Sequence, residues 1–396
     1  MFDDGSAPDG RDRIKEIFAS GTLADEPPEL PVSFDELAAR AHEAMSPEAR
    51  AYVPGGAGAE RTMDANERAF DRWRIVPRMC RDVSTRDLSV ELFGREFAAP
   101  VALAPIGCQS LLDADGELAT ARAAAEQNVP MTLSSVSSRS IEDVGEALGD
   151  VPKWFQLYWG SDDAIARSFV ERAEAAGYDA IVLTVDTPVT GWRERELREG
   201  YSPYLDGEGL ANYVSDPAFR ERLDQPPEEN PGAAAMEFVD VFGDASHTFA
   251  DVATLREWTD LPVVLKGILH PADAEAAIEA GADGIVVSNH GGRQVDGSIG
   301  ALEALPGVVD AVDGRLPVLF DSGIRGGADA LKAIALGAEV VLYGRPYAYG
   351  LAIDGEDGVD AVLSNLLADL DVTLGLAGHA SIAEVDRSAL VHTAEL

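Results

Sequence analysis

From about residue 98, short β-branched apolar runs alternate with amphipathic stretches rich in Ala and Glu. The runs are Val101–Ala104, Met131–Leu133, Trp154–Leu157, Ala180–Val185, Val263–Lys266, Gly284–Val287, Val318–Phe320 and Val340–Leu342. Short continuous apolar runs with no polar alternation fit strands buried on both faces. Helical spacing fills most of the intervals, at Gly116–Gln127, Ile141–Leu148, Asp162–Ala176, Pro271–Ala280, Ala301–Val312 and Gly327–Leu336. Gly177, Gly281 and Gly337 follow three of these helices, where a left-handed residue ends the turn. Eight such units in about 250 residues predict an α/β protein of the (β/α)8 TIM-barrel class. A doubly wound sheet is the alternative, and count and spacing favour the barrel. The last helices are predicted at about Tyr347–Leu351 and Gly358–Leu374.

Upstream, residues 1–30 are polar and acidic, with one short helix expected at Arg11–Ser20. Ser33, with Glu36 three positions later, reads as a capping box opening a helix to about Met45. Further helices are predicted at about Pro47–Tyr52 and Glu60–Phe70, then an extended segment at Trp73–Pro77. The organisation expected is an N-terminal arm with helices packing on the barrel (1–97), the barrel (98–380) and a C-terminal tail (381–396). One connection breaks the rhythm, from Asp186 to Val263. It holds Tyr201, Tyr204 and Tyr213 and the acidic stretch Asp224–Glu229, with helical content near Asp251–Trp258. It leaves the C-terminal end of strand four, the face on which barrels do chemistry. A partly mobile lid over about residues 190–250 is therefore expected.

Charge alters the picture of the surface. The 396 residues carry 70 Asp and Glu against 31 Lys and Arg, a formal net charge of −39. Such a surface repels nucleic acid and anionic lipid. The acid is spread along the chain, so it reads as a solvated shell suited to high salt and a halophilic source. No run approaches the roughly 20 apolar residues needed to span a bilayer. The start, Met1-Phe2-Asp3-Asp4-Gly5, is too acidic for a secretory signal. Two cysteines, Cys80 and Cys108, exclude a disulfide framework, and the cytoplasm is the expected compartment. No His or Cys pair has metal-ligand spacing, so no metal site is expected.

The strand ends are unusually polar. Strand six runs into Ser288-Asn289-His290-Gly291-Gly292-Arg293-Gln294. A proton-transferring imidazole beside a guanidinium that can clamp a carboxylate points to chemistry on a small organic acid. Pro105-Ile106-Gly107 follows strand one, and Ser134 closes strand two. Gln156 and Tyr158 belong to strand three, Thr184 and Asp186 to strand four with Arg193 beyond, and Lys266 to strand five. Asp321, Gly323 and Arg325 follow strand seven, and Gly344 and Arg345 strand eight. Gly/Arg loops after strands seven and eight are where barrels bind phosphate. A phosphate there, a flat heterocycle across the mouth and a base above it describe a flavin mononucleotide site.

With these pieces in order, residues 35–380 resemble the FMN-dependent L-2-hydroxy-acid oxidase family, whose active-site signature is the SNHGGRQ stretch. The resemblance implies that His290 removes the substrate C2 hydrogen and Asp186 holds the imidazolium. It implies that Arg193 and Arg293 clamp the carboxylate, while Tyr52 and Tyr158 hydrogen-bond the substrate. Lys266 would stand at the N1/C2-carbonyl edge of FMN, and Ser134, Gln156, Thr184 and Ser288 along its ring or ribityl chain. Pro105, Ile106 and Gly107 would approach N5, and Asp321, Gly323, Arg325, Gly344 and Arg345 would hold the phosphate. The partners implied are a small 2-hydroxy acid and O2, in a tetramer or octamer.

Within the family the wording is most similar to the lactate 2-monooxygenase members. Gly107 stands where most oxidases carry Ala, and a missing methyl near N5 alters the room for oxygen and keto acid. L-lactate is the favoured substrate, with oxidative decarboxylation to acetate, CO2 and water. The alternatives are an oxidase releasing keto acid and hydrogen peroxide and, of another class, a non-catalytic flavin-binding protein. A cytochrome- or membrane-linked dehydrogenase is disfavoured, with no haem domain before the barrel and no apolar anchor. Val136 replaces an aromatic of several relatives, so the pocket wall differs.

Overall fold

A computed structural model describes residues 9–396, so the acidic start at Met1–Gly5 lies outside the described residues. The apolar runs become β1 (Val101–Leu103), β2 (Met131–Ser134), β3 (Lys153–Leu157), β4 (Ala180–Thr184), β5 (Val263–Ile268), β6 (Gly284–Val287), β7 (Val318–Phe320) and β8 (Val340–Tyr343). They pair in parallel and in sequence, and β8 returns to β1, closing the barrel. Small and branched side chains fill the interior, among them Ala102, Val182, Val264, Val286, Leu319 and Val340. The alternate side chains, such as Leu103, Phe155, Ile181 and Leu265, join the larger core beneath the helices. A hairpin of Val90–Leu92 and Arg95–Phe97 plugs the N-terminal end, where Phe93 and Phe97 meet Trp154 at ring distances of 6.1 and 5.8 Å. The C-terminal face is left for chemistry.

The helices agree closely with the sequence pattern, and Gly177, Gly281 and Gly337 have φ of 76°, 88° and 107°. One local expectation is corrected. Ser33 does precede the helix Phe34–Ala44, but its side chain makes no capping bond, and its carbonyl accepts from Leu37 instead. The last two predicted helices fill Arg345–Ala377, separated by a kink at Asp354 and Gly355, where Gly355 takes φ 56°, and the second is the long C-terminal helix. The N-terminal helix Gly10–Ala19 lies on it so closely that a Cβ at Gly10 would stand 2.4 Å from the Ala368 carbonyl oxygen. The extended segment Trp73–Ile75 pairs antiparallel with Leu390–His392, tying the tail to the N-terminal extension.

The long connection is not an open loop. It folds into short helices, chiefly Glu194–Glu199, Ala211–Val214, Pro217–Arg220, Pro231–Val241 and Val252–Arg256. Tyr213, Phe219 and Phe238 form an aromatic centre that reaches Phe169 on the barrel helix Asp163–Ala175. Asn212 pins the insert to the end of β2, donating to the carbonyls of Ser134 and Ser135 at 3.4 and 3.2 Å. No helix among the described residues is long and apolar enough to cross a membrane.

Candidate active site

Beyond β6 the backbone turns through three successive left-handed residues, His290, Gly291 and Gly292, with φ of 58°, 61° and 78°. Glycine adopts this freely, but histidine does so at a cost. Hydrogen bonds hold the turn: His290 N to Ser288 Oγ at 3.0 Å, Gly291 N to Ser322 Oγ at 3.0 Å and Gly292 N to Asn289 Oδ1 at 3.1 Å. Gly292 is also needed for close approach, since a Cβ there would lie 2.8 Å from Met63 N.

The turn delivers His290 to Asp186, just past β4, with Nδ1 2.9 Å from Oδ1. On the other side Nε2 lies 3.3 Å from the Tyr158 hydroxyl. Burial lowers the His290 pKa from its ordinary 6.5, against the pull of Asp186 and with the help of Lys266. Burial acts upward on Asp186, but His290, Lys266 and Thr187 outweigh it and keep the carboxylate ionised. Space for Asp186 comes from a register shift in β5, where Gly267 has φ 116°. A Cβ at Gly267 would lie 2.6 Å from the Asp186 Cβ.

Arg193 and Arg293 converge beside this pair. The Arg193 Nε donates to the Arg293 carbonyl at 3.3 Å, and Arg293 stacks over the Tyr52 ring with its Cζ 4.9 Å from the centroid. Glu196 Oε1 reaches both guanidinium groups, at 3.1 Å from Arg293 and 3.7 Å from Arg193. Sequence reasoning missed Glu196, which reads there as one more charge in a charged helix. The Tyr52 hydroxyl lies 3.3 Å from that of Tyr204, which places this tyrosine of the insert at the site. Tyr204 and Phe242 line the cavity, whereas Tyr213 is buried within the insert. Thr187, in the stretch Leu183–Pro188 that shares in the family resemblance, also lines the cavity, as does Thr190, which carried no motif signal.

The cavity extends from this clamp across the barrel mouth to Arg325 and Arg345. Lys266 is buried within it, 3.1 Å from Ser288 Oγ and 3.2 Å from Asp321 Oδ2. Burial acts downward on its pKa, but Asp321 and Asp186 raise it overall, so the ammonium stays charged. Asp321, expected with Arg325 and Arg345 at the phosphate, is ion-paired to Lys266. Ser134 donates to Gln156 Oε1 at 3.0 Å. Gln156 Nε2 and Thr184 Oγ1 are buried with no hydrogen-bond partner among the described residues. Unpaired polar groups of this kind cost free energy unless a ligand satisfies them.

Arg345 is half-buried at the far end of the cavity and spends most of its donors on backbone carbonyls, including Gly291 and Gly55 at 2.9 Å each. Burial pushes its pKa down to about 10, with the nearby Arg293 and Arg325 adding to the fall. A half-buried guanidinium with no carboxylate among the described residues hydrogen-bonded to it favours an anion beside it. Gly323, with φ 110°, and Gly344 bring backbone to the same end. A polar cradle with unpaired amide and hydroxyl groups, a buried ammonium at one edge and arginines at the far end fits FMN. Pro105, Ile106 and Gly107 form the wall near His290, but a Cβ at Gly107 would lie 2.5 Å from the Val136 carbonyl oxygen. A methyl there would displace the loop after β2, and would not simply reduce room in the cavity.

Residues 41–392 match the family described as FMN-dependent dehydrogenase. The chain is 45% identical over 362 residues to an L-lactate oxidase of Lysinibacillus sphaericus, covering 91% of this chain and 93% of that protein. It is 44% identical to an FMN-dependent alpha-hydroxy acid dehydrogenase of Penicillium citrinum, covering 94% of each. A solved structure of mandelate oxidase superposes with a TM-score of 0.81 at 40% identity, covering 91% of this chain and 98% of that one.

Proposed function

The chain belongs to the FMN-dependent 2-hydroxy-acid oxidase family, and from that membership we propose that it oxidises a small L-2-hydroxy acid, L-lactate being favoured, and decarboxylates the product with O2. The observation that carries the reading is the neutral His290, backed by Asp186, beside two convergent arginines under a folded cover. Bound FMN supplies the acceptor for the two electrons. Arg193 and Arg293 grip the substrate carboxylate, and Tyr52 and Tyr158 orient the hydroxyl. His290 Nε2 takes up a substrate proton, and Asp186 stabilises the imidazolium that results. Lys266 puts a positive charge at the cofactor edge where negative charge accumulates. Ser134, Gln156, Thr184 and Ser288 engage the ring and ribityl chain, while Arg325 and Arg345 meet the phosphate.

Retention of the keto acid separates decarboxylation from simple oxidation. Tyr204 and Phe242 belong to an insert with its own aromatic core, so the cover over the clamp is built into the fold. A keto acid held there meets peroxide before it leaves, giving acetate, CO2 and water from lactate and O2. The second reading, an oxidase releasing pyruvate and hydrogen peroxide, is favoured by the relatives named L-lactate oxidase. Aerobic turnover of L-lactate with acetate and peroxide assayed together decides. Acetate without peroxide is expected; pyruvate with stoichiometric peroxide establishes the oxidase.

A further inference from the structure

We propose that Phe34, outside the barrel, is a cofactor-retaining residue whose ring holds the Arg325 guanidinium where it can meet the FMN phosphate. This rests on the reading of Arg325 as a phosphate ligand. The Arg325 Cζ lies 4.5 Å from the centroid of the Phe34 ring. The same ring stacks on Tyr349, at 6.0 Å and 28° between planes. Tyr349 lies one turn beyond Arg345 in the helix Arg345–Ala377. One aromatic ring from the N-terminal extension therefore contacts Arg325 and the first turns of the helix that Arg345 opens.

The other restraints on Arg325 are slight. Its Nη1 donates to the neighbouring Ile324 carbonyl at 3.1 Å, and its Nη2 pairs at 3.0 Å with Glu67, whose side chain is 52% exposed. An ion pair this open to solvent positions a guanidinium weakly. The Nε–H is buried with no partner among the described residues, so a donor stays available to an anion. An aromatic face attracts the cation without consuming any N–H.

Phe34 also borders the space on the other side of the guanidinium. A second cavity lies between the helix Gly10–Ala19 and the C-terminal helix, and both Phe34 and Arg325 line it. With the ring gone, the guanidinium has room to turn into that space, away from the cofactor. The contribution of Phe34 is thus specific to the phosphate and absent for the rest of the flavin.

The test dilutes purified holoenzyme and follows the recovery of free-flavin fluorescence, with FMN and then with riboflavin, which lacks the phosphate. Phe34→Leu and Phe34→Met are expected to weaken FMN about five- to tenfold, the scale of a partly buried cation–π contact, and to leave riboflavin unchanged. Phe34→Tyr keeps the ring face and is expected to restore wild-type retention. The proposal is overturned if both aliphatic variants hold FMN like wild type, or if FMN and riboflavin weaken equally, which marks general packing. Arg325→Met separates the premise from the inference. If it leaves FMN retention unchanged, the phosphate reading of Arg325 fails. If it weakens FMN while Phe34→Leu and Phe34→Met do not, Phe34 alone is refuted. Circular dichroism melting of each variant confirms that the comparison is made on folded protein.

Discussion

A histidine that must accept a proton near neutral pH works best when it is uncharged beforehand, and burial keeps His290 in that state. Its pKa lies below the ordinary 6.5, so protonation of the free enzyme removes the base only in more acidic solution. The expected kcat/KM profile is flat through neutrality and falls on the acid side with an apparent pKa below 6.5. Anaerobic flavin bleaching measured across pH checks this, and an acid limb centred above 6.5 would contradict it. Stability follows the same sign. The unfolded chain binds the proton more readily, so the contribution of His290 is lost as pH falls from 6.5 through the lowered folded value. Much of the site was legible at this scale, because His290, Arg293, Lys266 and Asp186 are functional groups standing just past apolar runs. Glu196 was not, since nothing in a charged six-residue helix says which carboxylate turns inward. Nor could the φ of His290 be read from its identity.

The elements divide by length and burial. Barrel strands announce themselves because both faces are covered, leaving uninterrupted apolar runs. The insert hides its structure because several of its helices have only four residues, too few to show a period of 3.6. The bulge in β5 was equally hidden. Its Gly267 looks like a turn residue after Lys266, but its function is to leave space beside Asp186. Gly267→Ala is expected to cost about 1–3 kcal/mol through an unfavourable φ and overpacking. It should also slow flavin reduction by L-lactate, because Asp186 must move away from His290. Thermal melting and anaerobic bleaching measured on one preparation check both, and wild-type behaviour in the two assays would remove this role for the bulge.

For the molecule as a whole, the net charge of −39 dominates. Many of the arginines are already committed to partly exposed ion pairs, such as Arg122 with Glu356 and Arg222 with Asp162 and Glu237, leaving a surplus of acid at the surface. Self-repulsion of that surplus reaches far in dilute buffer and only about 3 Å at 1 M salt. The melting temperature is therefore expected to climb between dilute buffer and molar KCl, and a flat series would exclude a salt-adapted surface. A different constraint comes from the contact between Gly107 and Val136. The Val136 carbonyl also accepts from Cys108 N at 3.0 Å, and the next carbonyl, Ser137, accepts from Ala211 of the insert at 3.1 Å. A side chain at position 107 is therefore penalised by a loop that the insert itself anchors. The two sites are therefore expected to be coupled: Gly107→Ala should cost less in a variant whose insert no longer anchors that loop than in the wild type, a difference that a double-mutant cycle reads.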